Sequence, residues 1–297
     1  MTTRRWILAL LATATLSVFA TILARAVFED EAPITGAVPG TMRSAALGQD
    51  REYFVHLPEG YDADSTIRFP VLYVLDGLSQ SGHTAESASL LARIGLIPPM
   101  IVVGVPSNDG ETRNRDYTPP EMRLDTDAAT SPMGAADRFL SFLENELVVR
   151  IERDYRTARP RMLAGWSRGG LFVIYSELVA PSLFDARFAH SPALWREEEQ
   201  IVTRLRHALS TDTRTPGFLY LSLGAEENEK MTRAFTHAVG VLAHDAPPTL
   251  KWRADISVGG HESNPRLSTP VGLCAMFSVG ADRLCRGHGS ADTALQP

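Results

Sequence analysis

The pentapeptide Gly165-Trp166-Ser167-Arg168-Gly169 constrains this chain more than any other stretch. The apolar run Met162-Leu163-Ala164 leads into it and the run from Leu171 to Tyr175 leads out. A buried strand, G-x-S-x-G and a helix in that order are the sequence form of a nucleophile elbow. So tight a turn puts Ser167 in strained backbone geometry with its hydroxyl above the sheet edge. Gly165 and Gly169 are expected to be small because strand and helix backbones nearly touch there.

The remaining pattern fits such an elbow. Apolar runs at Phe69–Leu75, Met100–Val103, Ala186–Ala189 and Phe218–Leu223 read as strands covered on both faces, and Leu250–Val258 alternates like a strand. Between them, residues 84–95, 197–209, 228–243 and 265–277 read as helices. So does Gly134–Asp154, where Phe139, Phe142, Leu143, Leu147 and Ile151 share one side. Arg43–Leu57 alternates around Gly48 and reads as an antiparallel hairpin. Pro106–Pro120 reads as a polar loop. The expectation is an α/β chain with a doubly wound, mainly parallel sheet and an antiparallel N-terminal hairpin. Such sheets carry their sites at the carboxyl ends of the strands. There this chain presents Asp76-Gly77, Ser167, Ser191, the acidic loop after Gly224, and His261.

A serine hydroxyl needs a histidine to take its proton, and that histidine needs a carboxylate. In elbow hydrolases the chain order is serine, acid, histidine. His190, His207, His237, His244, His261 and His288 follow Ser167. Three of these sit on or beside helices and His288 is in the tail. His190 comes too early to leave room for an acid. His261 follows the last strand on a Gly-Gly loop and is the expected base. Glu226, Glu227 and Glu229 all qualify by position as the acid; Glu229 already enters a helix, and Glu227 is preferred. The backbone N–H groups of Arg168 and of Leu78 are the expected oxyanion donors.

With 297 residues, 44% hydrophobic, the chain has ample apolar material for a core. A net charge of −6, with both signs interspersed, argues against a nucleic-acid partner. Arg4 and Arg5 precede an apolar run, Trp6–Ala24, and Ala24-Arg25-Ala26 resembles a cleavage site. Residues 1–26 therefore read as a signal peptide or anchor. A helix over 6–24 would span about 28 Å, enough for a membrane tether. Residues 27–42 read as a linker, 43–285 as the catalytic domain and 286–297 as a flexible tail. The body is expected outside the cytoplasm, periplasmic or secreted. There Cys274 and Cys285 are expected to pair, worth roughly 3 kcal/mol.

The chain resembles the putative-esterase branch of the α/β-hydrolases, which includes esterase D, enterochelin and salmochelin esterases and mycolyltransferases. The resemblance runs from about Gly48 to Phe277. It rests on Phe69–Gly77, Pro99–Pro106, Arg115-Asp116-Tyr117-Thr118-Pro119, Gly134–Phe139, the elbow, Ser191–Trp195, Leu223–Glu227 and Gly260-His261. It implies Ser167 as nucleophile, His261 as base, Glu227 as the acid of a Gly-x-x-Glu motif, and Leu78 as an oxyanion donor. Arg115, Trp166 and Trp195 are the candidate substrate contacts. The expected partner is a small-molecule ester, with no metal or organic cofactor. Siderophore triester cleavage and acyl transfer are alternatives on the same scaffold.

Overall fold

A computed structural model of the chain describes residues 36–210 and 216–277. Within them lies an eight-stranded sheet: β1 Ala37–Ser44, β2 Gln49–His56, β3 Phe69–Leu75, β4 Ile101–Val105, β5 Thr157–Trp166, β6 Ala186–His190, β7 Gly217–Gly224 and β8 Leu250–Ser257. The strand order is β1-β2-β4-β3-β5-β6-β7-β8. β1 and β2 form the antiparallel hairpin, β2 runs antiparallel to β4, and every later pairing is parallel. This is the α/β-hydrolase arrangement. All seven residues of β3 are buried, because β4 and β5 flank it and helices cover both faces. At the far edge, β8 has one neighbouring strand and keeps mostly half-buried residues.

The helices are α1 Gly77–Arg93, α2 Gly110–Tyr117, α3 (Ala136–Phe142, Leu143–Leu147 and Val148–Asp154 in one run, the middle part π-helical), α4 Arg168–Val179, α5 Arg196–Ser210, α6 Glu229–Asp245 and α7 Asn264–Phe277. One apolar core forms where α3, α4, α5 and α6 meet one side of the sheet, with Phe139, Phe142 and Phe172 at its centre. α1 and α7 cover the other side around Leu91, Leu273 and Tyr220.

The linker expected over residues 27–42 gives way to β1 from Ala37 onward. Pro39 and Gly40 read as breakers, yet an edge strand tolerates a residue with no N–H. Gly40 pairs with Tyr53, and a Cβ at Gly40 would lie 2.2 Å from that ring, so the glycine makes room for the cross-strand aromatic. The polar loop expected over 106–120 contains α2. Its inward residues are Thr112, Asp116 and Tyr117, and Asp109 caps it by accepting from the Thr112 N–H at 2.7 Å. Asp116 is paired at 2.7 Å with Arg51 of β2, both fully buried.

The first residues of α5 depart from helical geometry. Glu197, Glu198 and Glu199 all have positive φ, 44°, 54° and 63°. An L-residue there loses roughly 1–2 kcal/mol against its Cβ, a penalty glycine escapes. Glu198 is exposed. Glu198→Gly is therefore expected to stabilise the fold by about 1 kcal/mol in urea unfolding. A lower midpoint at unchanged slope would contradict this.

The export segment expected over residues 1–26, the tail over 286–297, and Cys285 lie outside the described residues. Cys274 is buried in α7. Among the described residues no helix is long and apolar enough to cross a membrane.

Candidate active site

β5 delivers Ser167 to the sheet edge with φ 57° and ψ −115°, well outside the helical and extended regions. The turn is held from both sides: its N–H donates to His190 O at 2.9 Å, and its carbonyl accepts from Leu171 and Ala193 N–H at 3.1 and 2.9 Å. A Cβ on Gly165 would stand 2.5 Å from Gly169 O, so glycine is obligatory there. Gly169, by contrast, has ordinary room around an added Cβ. The tighter second position is Gly170, whose Cβ would meet Pro192 Cα at 2.9 Å. The sequence reading named the wrong glycine of that pair.

The loop after β7 carries Glu227, whose side chain is 1% exposed. Its Oε2 accepts from His261 Nδ1 at 2.9 Å. That bond puts the imidazole proton on Nδ1 and leaves the Nε2 lone pair for an incoming proton. Oε1 accepts the Ser191 hydroxyl, and Asn264 Nδ2 donates to Ser191 Oγ at 2.8 Å. Burial alone would push the Glu227 carboxyl up. The hydrogen bonds from His261 and Ser191 outweigh it, and the group lies below the ordinary glutamate value. Glu226 and Glu229 are exposed; of the three candidates, Glu227 is joined to His261.

His261 is held from behind by Trp166. The indole Nε1 donates to His261 O at 3.0 Å and the two rings lie 4.9 Å apart. Trp166, expected to touch substrate, instead braces the histidine loop. Ser167 and His261 line the same cleft. No hydrogen bond joins the hydroxyl to the imidazole among the described residues, as is common before substrate is bound.

The two expected oxyanion donors open helices. Leu78 lies in the first turn of α1 and Arg168 begins α4, where a backbone N–H has no carbonyl one turn earlier. α1 starts directly at β3 because Asp76 takes left-handed geometry, φ 55°. Arg113 fixes this turn. Its Nε and Nη2 donate to the two Asp76 carboxylate oxygens at 2.7 and 2.8 Å, and Nη2 reaches Trp166 O at 3.4 Å. One guanidinium thus ties the β3–α1 turn to the elbow.

The cleft encloses about 590 Å³, ample for a ligand of moderate size. Trp195, a candidate substrate contact, lines it, with the Arg196 and Lys230 cations 5.6 and 5.7 Å from its ring. Arg115 does not line it. Its Nε and Nη2 are engaged by Asp116 Oδ1 at 3.0 and 2.9 Å. The cleft-lining cations are Arg113, Arg168 and Arg196. Ser191 is visible in the sequence as a strand-end residue, but its partnership with Glu227 and Asn264 leaves no local motif, and Arg196 and Asn264 carry no sequence signal of a role. Among the described residues no three His, Cys, Asp or Glu side chains gather as metal ligands.

Comparison with known proteins follows the same lines. The family model described as putative esterase matches residues 44–243. Ferri-bacillibactin esterase BesA of Bacillus subtilis is 28% identical over 209 residues, 65% of this chain and 72% of the relative. A siderophore enterobactin esterase of Emericella nidulans is 33% identical over 124 residues, 37% of this chain and 41% of that protein. The crystal structure of an IroE-like serine hydrolase from Shewanella oneidensis superposes with a TM-score of 0.73 at 26% identity, covering 81% of this chain and 80% of the other.

Proposed function

The chain belongs to the putative esterase family and is a carboxylic-ester hydrolase, and on that premise we propose that it works through an acyl-enzyme on Ser167 and that its substrates are siderophore esters. The observation that carries the mechanism is the Glu227–His261 hydrogen bond at the wall of the cleft that Ser167 enters. His261 Nε2 takes the Ser167 proton as Oγ attacks the ester carbonyl. The Leu78 and Arg168 amides receive the developing oxyanion. The proton then passes from His261 to the departing alcohol. Water, deprotonated by the same nitrogen, releases the acid and restores the serine. Glu227 stays ionised throughout and stabilises the imidazolium.

The substrate class is supported by the relatives, two of which are named for siderophore ester cleavage. Export through residues 1–26 fits the charged and apolar pattern of that segment. The purified protein is expected to release acid from a catecholate triester, metal-free or ferric, and to be labelled at Ser167 by a fluorophosphonate. Turnover of simple aryl esters without triester cleavage would remove the siderophore assignment and leave the esterase. Absence of both labelling and turnover would remove the serine mechanism.

A further inference from the structure

Arg168 and Arg196 occupy the cleft in an unusual electrostatic state. Arg168 Nη1 donates to Thr118 Oγ1 at 2.7 Å and to Leu124 O at 3.1 Å. Arg196 Nη2 donates to Arg123 O at 2.7 Å and to the same Leu124 O at 2.9 Å. Two guanidinium groups thus converge on one neutral carbonyl. Among the described residues neither forms an ion pair with a carboxylate. The nearby acids are engaged elsewhere or face solvent: Asp76 holds Arg113, Glu227 holds His261, Glu197 holds Arg123, and Asp125, Asp127 and Glu226 are exposed. Glu197, Asp125 and Asp127 attract Arg196, and Asp125 attracts Arg168, without ion-pair contact.

Both cations have lost much of their water. Arg196 is 4% exposed, and its Nε is buried with no hydrogen-bond partner. Burial, then repulsion from Arg196 and Arg113, pushes Arg168 down to about 10, still charged at neutral pH. Holding up the 123–124 loop needs only one cation and no idle Nε. A buried charge left with neutral partners is costly, and an oxyanion entering beside it would offset that cost. Arg196 also lies over Trp195, which leaves an apolar wall next to the charged one.

We propose that Arg168 and Arg196 form an anion subsite through which the cleft selects esters bearing a negative charge. The proposal rests on the cleft being the ester-hydrolysing site. Catalysis and charge selection are separated by measuring binding to Ser167→Ala protein by calorimetry, with two probes: phenyl hydrogen succinate and its neutral methyl ester. The charged probe is expected to bind at least about tenfold tighter, equivalent to about 1.4 kcal/mol. Adding Arg196→Gln is expected to bring the two within about twofold. No preference, no binding of either probe, or a preference that survives Arg196→Gln overturns the subsite. If Arg196→Gln does not fold, a salt series on the Ser167→Ala protein decides: the preference should shrink with ionic strength, and a salt-independent preference overturns it. Hydrolysis of the neutral ester by wild-type protein reports separately on the esterase reading, which stands or falls without the subsite.

Discussion

Ser167→Ala is expected to lower kcat by about 10⁶-fold with the fold intact. The hydroxyl is the atom that would bond to the acyl group, and nothing else on the wall of the cleft could replace it without a new base. Residual rates of about 10³–10⁴ over water would survive, because the oxyanion donors and the cleft remain. Backbone geometry adds a second readout. Ser167 sits at φ 57°, so alanine inherits the strain and glycine relieves it. Ser167→Gly should therefore be as inactive as Ser167→Ala but more stable by about 1–3 kcal/mol. Initial rates on an aryl ester, paired with urea unfolding of all three proteins, check both statements. A Ser167→Ala protein within about a hundredfold of wild type would place the nucleophile elsewhere.

The contrast between what could and could not be read from the chain follows from how far each signal is local. The elbow is local: its glycine, its apolar strand and its helix are contiguous, and Ser167 lies where they put it. β3 and β7 announce themselves because strands buried on two faces carry near-continuous apolar runs, interrupted in β7 by Ser222. α2 has no such signature. Its sequence Gly-Glu-Thr-Arg-Asn-Arg-Asp-Tyr buries an ion pair instead of an apolar stripe. Missing that helix had a consequence at the site. Residues two apart on a helix point about 200° apart, so Arg113 and Arg115 cannot serve the same cleft. Read as a loop, the segment offers Arg115 as a substrate contact. As a helix, Arg113 meets Asp76 at the elbow and Arg115 turns to Asp116. The Ser191–Glu227–Asn264 contacts are harder still, since they join the ends of β6 and β7 to the start of α7 through crossovers that leave no periodicity.

Glu227→Gln is expected to lower kcat by about 10³–10⁴-fold with little change in KM, because the carboxylate acts on an imidazolium that exists only after proton transfer. The hydrogen bonds explain why so small a change costs so much. The carboxylate accepts on both oxygens, from His261 Nδ1 and from the Ser191 hydroxyl. Glutamine offers one acceptor and one donor. If its oxygen stays on His261, its amide group faces Ser191 Oγ, which already accepts from Asn264, and the serine proton loses its partner. If the amide turns round, it donates to Nδ1, and the imidazole proton moves to Nε2, where it blocks the transfer from Ser167. Stability supplies an independent check. The folded pKa of Glu227 lies below 4.5, the value an unperturbed glutamate has. Its contribution to stability is therefore fully present above about pH 4.5 and is lost as pH falls through the lower folded value. The stability difference between wild type and Glu227→Gln should shrink in urea unfolding carried from neutral into that acid range. Activity of Glu227→Gln within about tenfold of wild type, together with a large loss in Glu226→Gln, would move the acid one residue back along the loop. In that case the bond between Glu227 and His261 would be structural.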